Sequence, residues 1–209
     1  MQSEVEKTAG ISGVLVAAHE LKAPLGVIRQ LALTLQLAES KAMRTRLESQ
    51  LIRTTEQALK QVEDLAKIPQ LQKEQPVFEL VSVRAICNEV IHEVRPLFCQ
   101  EQRRLQVAYH NRTKVAVTNQ NLLRSVIYNF CTNAMRYSDQ ESESQLTVQD
   151  YHDKIRVSVR DFGPALPQSI WRKLQGGHIN QPLPVAMRPG STGLGLYIVS
   201  QFTQVMRAD

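Results

Sequence analysis

Residues 18–25 read Ala18-His19-Glu20-Leu21-Lys22-Ala23-Pro24-Leu25, and the apolar residues around them decide the first half of the fold. Apolar or small side chains recur at Val14, Ala18, Leu21, Leu25, Ile28, Ala32 and Leu35. Their separations alternate between four and three, the heptad pattern of a helix packed along a seam. At about 100° per residue, His19 points roughly 130° away from the centre of that stripe. A core histidine would lie on the stripe. This one, with Glu20 beside it, is presented to solvent or to another domain. Pro24 lies inside the same helix, where it removes the backbone donor to Glu20 and is expected to bend or loosen the helix just after His19.

Working outward, the periodicity predicts one helix over about residues 5–40 and a second over about 41–68. The second stripe runs through Leu47, Leu51, Thr54, Ala58, Val62 and Leu65. Two helices joined by a short turn make an antiparallel hairpin, but they cannot surround a core alone. Two hairpins from two chains, forming a four-helix bundle, would bury both stripes. The segment P-Q-L-Q-K-E-Q-P, Pro69 to Pro76, reads as a polar linker. Beyond it, β-like runs fall at 77–81, 105–109, 114–117, 146–151 and 155–160, with a hairpin turn at His152–Lys154. Helical runs fall at 84–98, 119–137, 168–174 and 193–205. Strands mixed with helices predict a two-layer α/β sandwich. The expected domains are therefore residues 1–70 and 77–209.

Composition narrows the function. The chain has 209 residues and 43 % hydrophobic content, enough for one large or two small cores. Its net charge of +5 is scattered, without a block of Lys or Arg, and 5 % aromatic content gives no base-stacking platform. A nucleotide is compatible with this balance, whereas nothing argues for DNA or RNA as a partner. Cys87, Cys99 and Cys131 form no C-x-x-C pair, so they read as reduced, mostly buried thiols of a cytosolic protein. No apolar run approaches 18 residues, so no membrane span or membrane contact is expected.

Three later stretches invite chemistry. In the helix over 119–137, Leu122, Leu123, Val126, Ile127, Phe130 and Ala134 form the expected buried side. Asn129, Asn133 and Tyr137 share a neighbouring face, with Arg136 beside them. Asparagine is a mediocre helix former, and a solvated face is the ordinary explanation for one. The functional reading is a neutral amide oxygen for Mg²⁺, an arginine for phosphate and a tyrosine flanking a nucleotide. A strand then runs into Asp161-Phe162-Gly163-Pro164-Ala165, which alone is a common turn. Finally, Gly190-Ser191-Thr192-Gly193-Leu194-Gly195-Leu196 opens a helix, as a phosphate cradle or as a plain glycine-rich turn would.

Taken in order, these stretches resemble the catalytic core of a two-component sensor histidine kinase, over nearly the whole chain. Residues 18–25 resemble its phospho-acceptor box, 119–137 its asparagine box, and 161–165 and 190–196 its glycine boxes. The resemblance implies a dimeric four-helix bundle followed by an ATP-binding sandwich of the GHKL (Bergerat) type. It implies His19 as phospho-acceptor, Glu20 as the acid orienting its ring, and Asn133, supported by Asn129, as Mg²⁺ ligand. Arg136 and Tyr137 would lie beside the phosphates and base, and Asp161 would accept from the adenine amino group. Gly163, Thr192, Gly193, Leu194 and Gly195 would surround the nucleotide. ATP and Mg²⁺ are the implied cofactors. The implied partners are a second copy, through residues 1–70, and a response-regulator receiver domain. A cytoplasmic location follows, including the cytoplasmic part of a membrane-anchored receptor.

Elementary chemistry agrees with these roles. An imidazole of pKa about 6.5 is largely neutral near pH 7, so one nitrogen can attack phosphorus. A carboxylate accepting the other N–H fixes the tautomer and stabilises the developing cation. A carboxylate at Asp161 accepts but cannot donate, which favours adenine over guanine.

The sequence also departs from the family pattern. Ala23, four residues after His19, lacks the polar group that could position water, which implies weak phosphatase activity. Ala165 replaces a glycine and would be strained if that site needs positive φ. The family's closing pair of strands would lie beyond Asp209. The gap between 175 and 189 resembles the family's lid, with Arg188 and His178 as bystanders. Two other readings compete: a degenerate kinase that only dimerises and docks partners, and an ATPase of the gyrase–Hsp90–MutL type. The second leaves the exposed His-Glu pair unexplained.

Overall fold

The computed structural model describes residues 21–73, 76–110, 115–139, 142–175 and 194–208. His19, Glu20, Thr192 and Gly193 lie outside these residues, as do the beginning of the first helix and the segment 176–193. The chain divides into two compact units, Met1–Lys73 with Lys173–Ile198 and Glu74–Arg172 with Val199–Asp209. No helix among the described residues is long and apolar enough to cross a membrane.

The first unit opens with α1, helical over 21–36, and continues with α2, Lys41–Lys73. The first helix stops earlier than its periodicity suggested, because Ser40 is the N-cap of the next. The Met43 N–H donates to Ser40 Oγ at 3.2 Å, and the Arg44 N–H donates to the Ser40 carbonyl. The second helix, conversely, does not end at Ile68 but runs through Pro69 to Lys73. Proline removes only one donor and crowds the preceding turn, and the buried Ile68 next to it anchors that turn. The linker is shorter than expected for this reason. Within one chain, Ala38, Ala58 and Ile68 are buried, while Leu25, Leu37, Ile52 and Leu59 are each more than half exposed.

The second unit begins with β1 (Glu79–Ser82), α3 (Val83–Gln100), β2 (Arg104–His110) and β3 (Val115–Thr118). It continues with α4 (Gln120–Tyr137), β4 (Glu143–Tyr151) and β5 (Lys154–Arg160), and the division between the units falls within α5 (Gln168–Gln175), after Arg172. A final helix, α6 (Leu194–Met206), spans the border of the two units. Strands β1 and β3 pair antiparallel, while the other three form a sheet in the order β2-β4-β5. Within it β2 and β4 are parallel, and β4 and β5 form a hairpin whose Tyr151 faces Lys154. His152 takes a φ of 56° at that tight turn.

Alternation along the strands turns Leu105, Val107, Leu146, Val148, Val157 and Val159 toward one core with Val83, Ile86, Cys87, Val90, Val94 and Phe98 of α3. Side chains cap both long helices. Ser82 Oγ accepts from the Ala85 N–H, and Asn119 Oδ1 accepts from the Leu122 N–H at 3.0 Å. Asn119, expected inside the helix, therefore precedes it.

Cys87 and Cys131 are fully buried in this core, and burial pushes both thiols up to about 12. Cys99 is exposed. Since only the thiolate attacks a disulfide reagent, the folded protein should show one fast-reacting thiol at pH 8 and three after denaturation. Two fast thiols in the native state would contradict this core.

Candidate functional site

Helix α4 carries most of the residues the sequence singled out. Its buried side is Leu122, Ser125, Val126, Ile127, Asn129, Cys131, Thr132 and Ala134. Leu123 and Phe130, expected in the core, are only half-buried, and Cys131 takes the core position instead. Asn129 is also buried, and its Nδ2 donates to the Ser125 carbonyl at 2.9 Å. That amide is therefore committed to its own helix, one turn below Asn133. The Asn133 side chain is half-buried and makes no hydrogen bond to another described residue. Arg136 and Tyr137, both half-buried, form the last turn.

The turn after β5 closes directly on that last turn. A Cβ built on Gly163 would lie 2.0 Å from the Tyr137 carbonyl oxygen and 2.6 Å from its carbon. Only a glycine backbone can approach the end of α4 so closely. Asp161 shapes the turn: its Oδ1 accepts from the Gly163 N–H at 2.9 Å while the residue stays exposed. Its other carboxylate oxygen has no described partner. Asn129, Asn133, Arg136, Tyr137, Asp161 and Gly163 thus belong to one unit and one helix end. Leu194 and Gly195 are buried at the start of α6. Ala165 is exposed and is not among the described non-glycine residues with positive φ, so the strain that its glycine-to-alanine change suggested is absent.

Two further ties hold the same helix end, and no sequence pattern announced either. Ser138, the C-cap, shares a 2.9 Å hydroxyl hydrogen bond with Ser144 at the start of β4, both buried. The Arg103 guanidinium, just before β2, donates to the Met135 carbonyl. Arg103, Ser138 and Ser144 lie outside the motifs, and the arginine contact spans 32 residues.

Residues 118–209 match the family described as histidine kinase-, DNA gyrase B-, and HSP90-like ATPase. This part of the chain is similar to the ATPase domains that the family describes. The matched segment begins one residue before Asn119, so it contains α4, the Asp161 turn and α6. Curated relatives reach further toward the N-terminus. The adaptive-response sensory kinase SasA of Rippkaea orientalis is 27 % identical over 176 residues, 77 % of this chain and 44 % of that protein. The heme sensor protein HssS of Staphylococcus aureus is 23 % identical over 190 residues, 90 % of this chain and 40 % of that protein. The chain thus spans about two-fifths of the length of these relatives.

Among solved structures, the histidine kinase AdeS of Acinetobacter baumannii aligns with 90 % of this chain and 86 % of its own, at a TM-score of 0.60 and 15 % identity. Full-length ShkA covers 97 % of this chain and 41 % of its own, at 0.57 and 18 %. The fold, a helical region followed by the ATPase domain, is that of a histidine kinase catalytic core.

Proposed function

We propose that this chain is an ATP-dependent protein-histidine kinase that phosphorylates its own His19 and passes the phosphoryl group to an aspartate of a response-regulator receiver domain. The observation that carries this reading is the closure of Gly163 on the Tyr137 carbonyl. It draws an adenine-selective carboxylate, Asp161, to the helix end that bears Asn133, Arg136 and Tyr137, within a domain of an ATPase family. Asn133 offers a half-buried neutral oxygen with no described competitor, a donor suited to Mg²⁺. Asn133 would hold Mg²⁺ there, and the ion when bound would supply charge neutralisation to the transfer. Asn129 braces that position from below. Arg136 offers its guanidinium to phosphate, Tyr137 flanks the base, and Gly163, Thr192, Gly193, Leu194 and Gly195 border the nucleotide.

In this reading Glu20 accepts one imidazole N–H of His19, and the other nitrogen attacks the γ-phosphorus. The N–P bond forms as the bond from phosphorus to the β–γ bridging oxygen breaks, and ADP leaves. Dimerisation through residues 1–70 is part of the proposal. Leu25, Leu37, Ile52 and Leu59 remain exposed on the helices, apolar side chains that one chain leaves uncovered. A cytoplasmic location accompanies ATP use.

The test is incubation with γ-labelled ATP and Mg²⁺. The expected product is a phosphoprotein labile to acid and stable to alkali, as a phosphohistidine is. Nucleotide binding without any labelled protein would instead leave an ATPase or a docking module.

A further inference from the structure

The nucleotide residues assigned above project from the last turns of α4, which is the unfavourable end of a helix for an anion. The last carbonyls of a helix lack partners within it and carry roughly half a negative charge, whereas phosphates gain from the opposite terminus. Asn133, Arg136 and Tyr137 sit within five residues of that carbonyl end. A phosphate chain bound beside them would face it.

The fold answers with a cation delivered from another element. Helix α3 ends in a Schellman motif. Gln102 adopts a φ of 54°, its N–H donates to the Cys99 carbonyl at 3.0 Å, and the Arg103 N–H donates to the Phe98 carbonyl at 2.8 Å. Phe98 is fully buried, so the turn is pinned to the core. The residue that leaves this turn is Arg103, and its guanidinium donates to Met135, one of the exposed-lone-pair carbonyls of the last turn of α4. Two other ties there, Ser138 with Ser144 and Gly163 against Tyr137, are neutral, and Arg136 is the helix's own cation in its last turn.

We infer that Arg103 is a positioning residue for nucleotide binding: by hydrogen-bonding the Met135 carbonyl it neutralises the negative end of α4, so that Asn133 and Arg136 can face a polyphosphate. This rests on the proposed placement of the nucleotide at α4. It goes beyond that placement by giving a selective role to a residue outside every motif. The effect scales with ligand charge. It should be large for ATP, smaller for ADP and absent for adenosine.

The experiment titrates the full chain with MgATP, ADP and adenosine, for wild type, Arg103→Gln and Arg103→Lys. Arg103→Gln should weaken ATP about three- to tenfold, the range of a partly buried helix-end charge, and leave adenosine unchanged. Arg103→Lys should restore ATP to within about twofold. Equal losses for ATP and adenosine would mean a loosened helix and overturn the inference, as would an unchanged ATP affinity in Arg103→Gln. Should Arg103→Gln not fold, Arg103→Met keeps the aliphatic stem, and the same selective loss is expected. A protein that folds with Lys but with neither neutral residue would assign Arg103 to the fold alone and overturn the inference. Wild type that binds adenosine but gains nothing from added phosphates also overturns it. Wild type that binds none of the three removes the underlying nucleotide reading instead.

Discussion

Gly163→Ala is expected to destabilise the ATPase domain by about 3 kcal/mol and to abolish its nucleotide binding. The new methyl carbon would stand 2.0 Å from the Tyr137 carbonyl oxygen, 2.6 Å from its carbon and 3.1 Å from Asp161 Oδ1. Overpacked sites usually cost about 1–3 kcal/mol, because side chains shift to relieve the clash. Here the first two obstacles are backbone atoms at the end of a helix, which cannot rotate aside, so the upper end of that range applies. Relief requires the turn to leave α4, taking Asp161 with it and breaking the 2.9 Å bond from the Gly163 N–H. Thermal unfolding should show a midpoint lowered by about 10 °C or more, and an ATP titration should show no saturation. A variant with wild-type melting temperature and affinity would refute the close approach.

His19→Gln should eliminate phosphorylation and leave ATP affinity within a few-fold. Glutamine retains polarity but lacks a nitrogen lone pair that can attack phosphorus, so the loss is total rather than graded. Affinity survives because Asn129, Asn133, Arg136, Tyr137 and Asp161, proposed to bind ATP, belong to the second compact unit and lie more than 100 residues from His19 in sequence. Asn133→Ala is the complement: MgATP binding should weaken at least about tenfold, because the amide oxygen offered to the metal is gone. The two variants assayed side by side separate acceptor from nucleotide site. Residual acid-labile label in His19→Gln would point to another acceptor, and unchanged MgATP affinity in Asn133→Ala would remove that residue from the site.

Much of this architecture was legible in the sequence because it is encoded locally. The β-like run 155–160 and the helical run 84–98 fall within two residues of the elements that form, Lys154–Arg160 and Val83–Gln100. The six residues of α4 and the Asp161 turn proposed for the site were singled out for a related reason. An amide, a guanidinium and a carboxylate at helical or turn spacing carry their chemistry in their identity. Helix ends were read less well. Ser40 competes for two helices and caps the second, and Pro69 stops a helix only when no buried neighbour holds it. Least legible were Arg103 and the Ser138–Ser144 pair. Arg103 looks like any surface arginine until α3 turns and brings it to α4, a contact that depends on tertiary packing and leaves no periodic trace. The meaning of Ala165 likewise rested on a backbone angle, which composition cannot reveal.

The parallel pairing of β2 with β4 gives α4 a place in the order of folding. Antiparallel neighbours can zip from a tight turn, but parallel neighbours need a long crossover before their first hydrogen bond forms. Here the chain leaves the sheet at His110, makes β3 elsewhere, and returns to Glu143 only after α4. The β4–β5 hairpin can therefore assemble early and alone, whereas β2 can join it only once α4 has been laid across the core. The helix that carries Asn133, the proposed metal ligand, is thus also the crossover that closes the sheet. Its residues therefore sit in the crossover on which the parallel pairing of β2 with β4 depends.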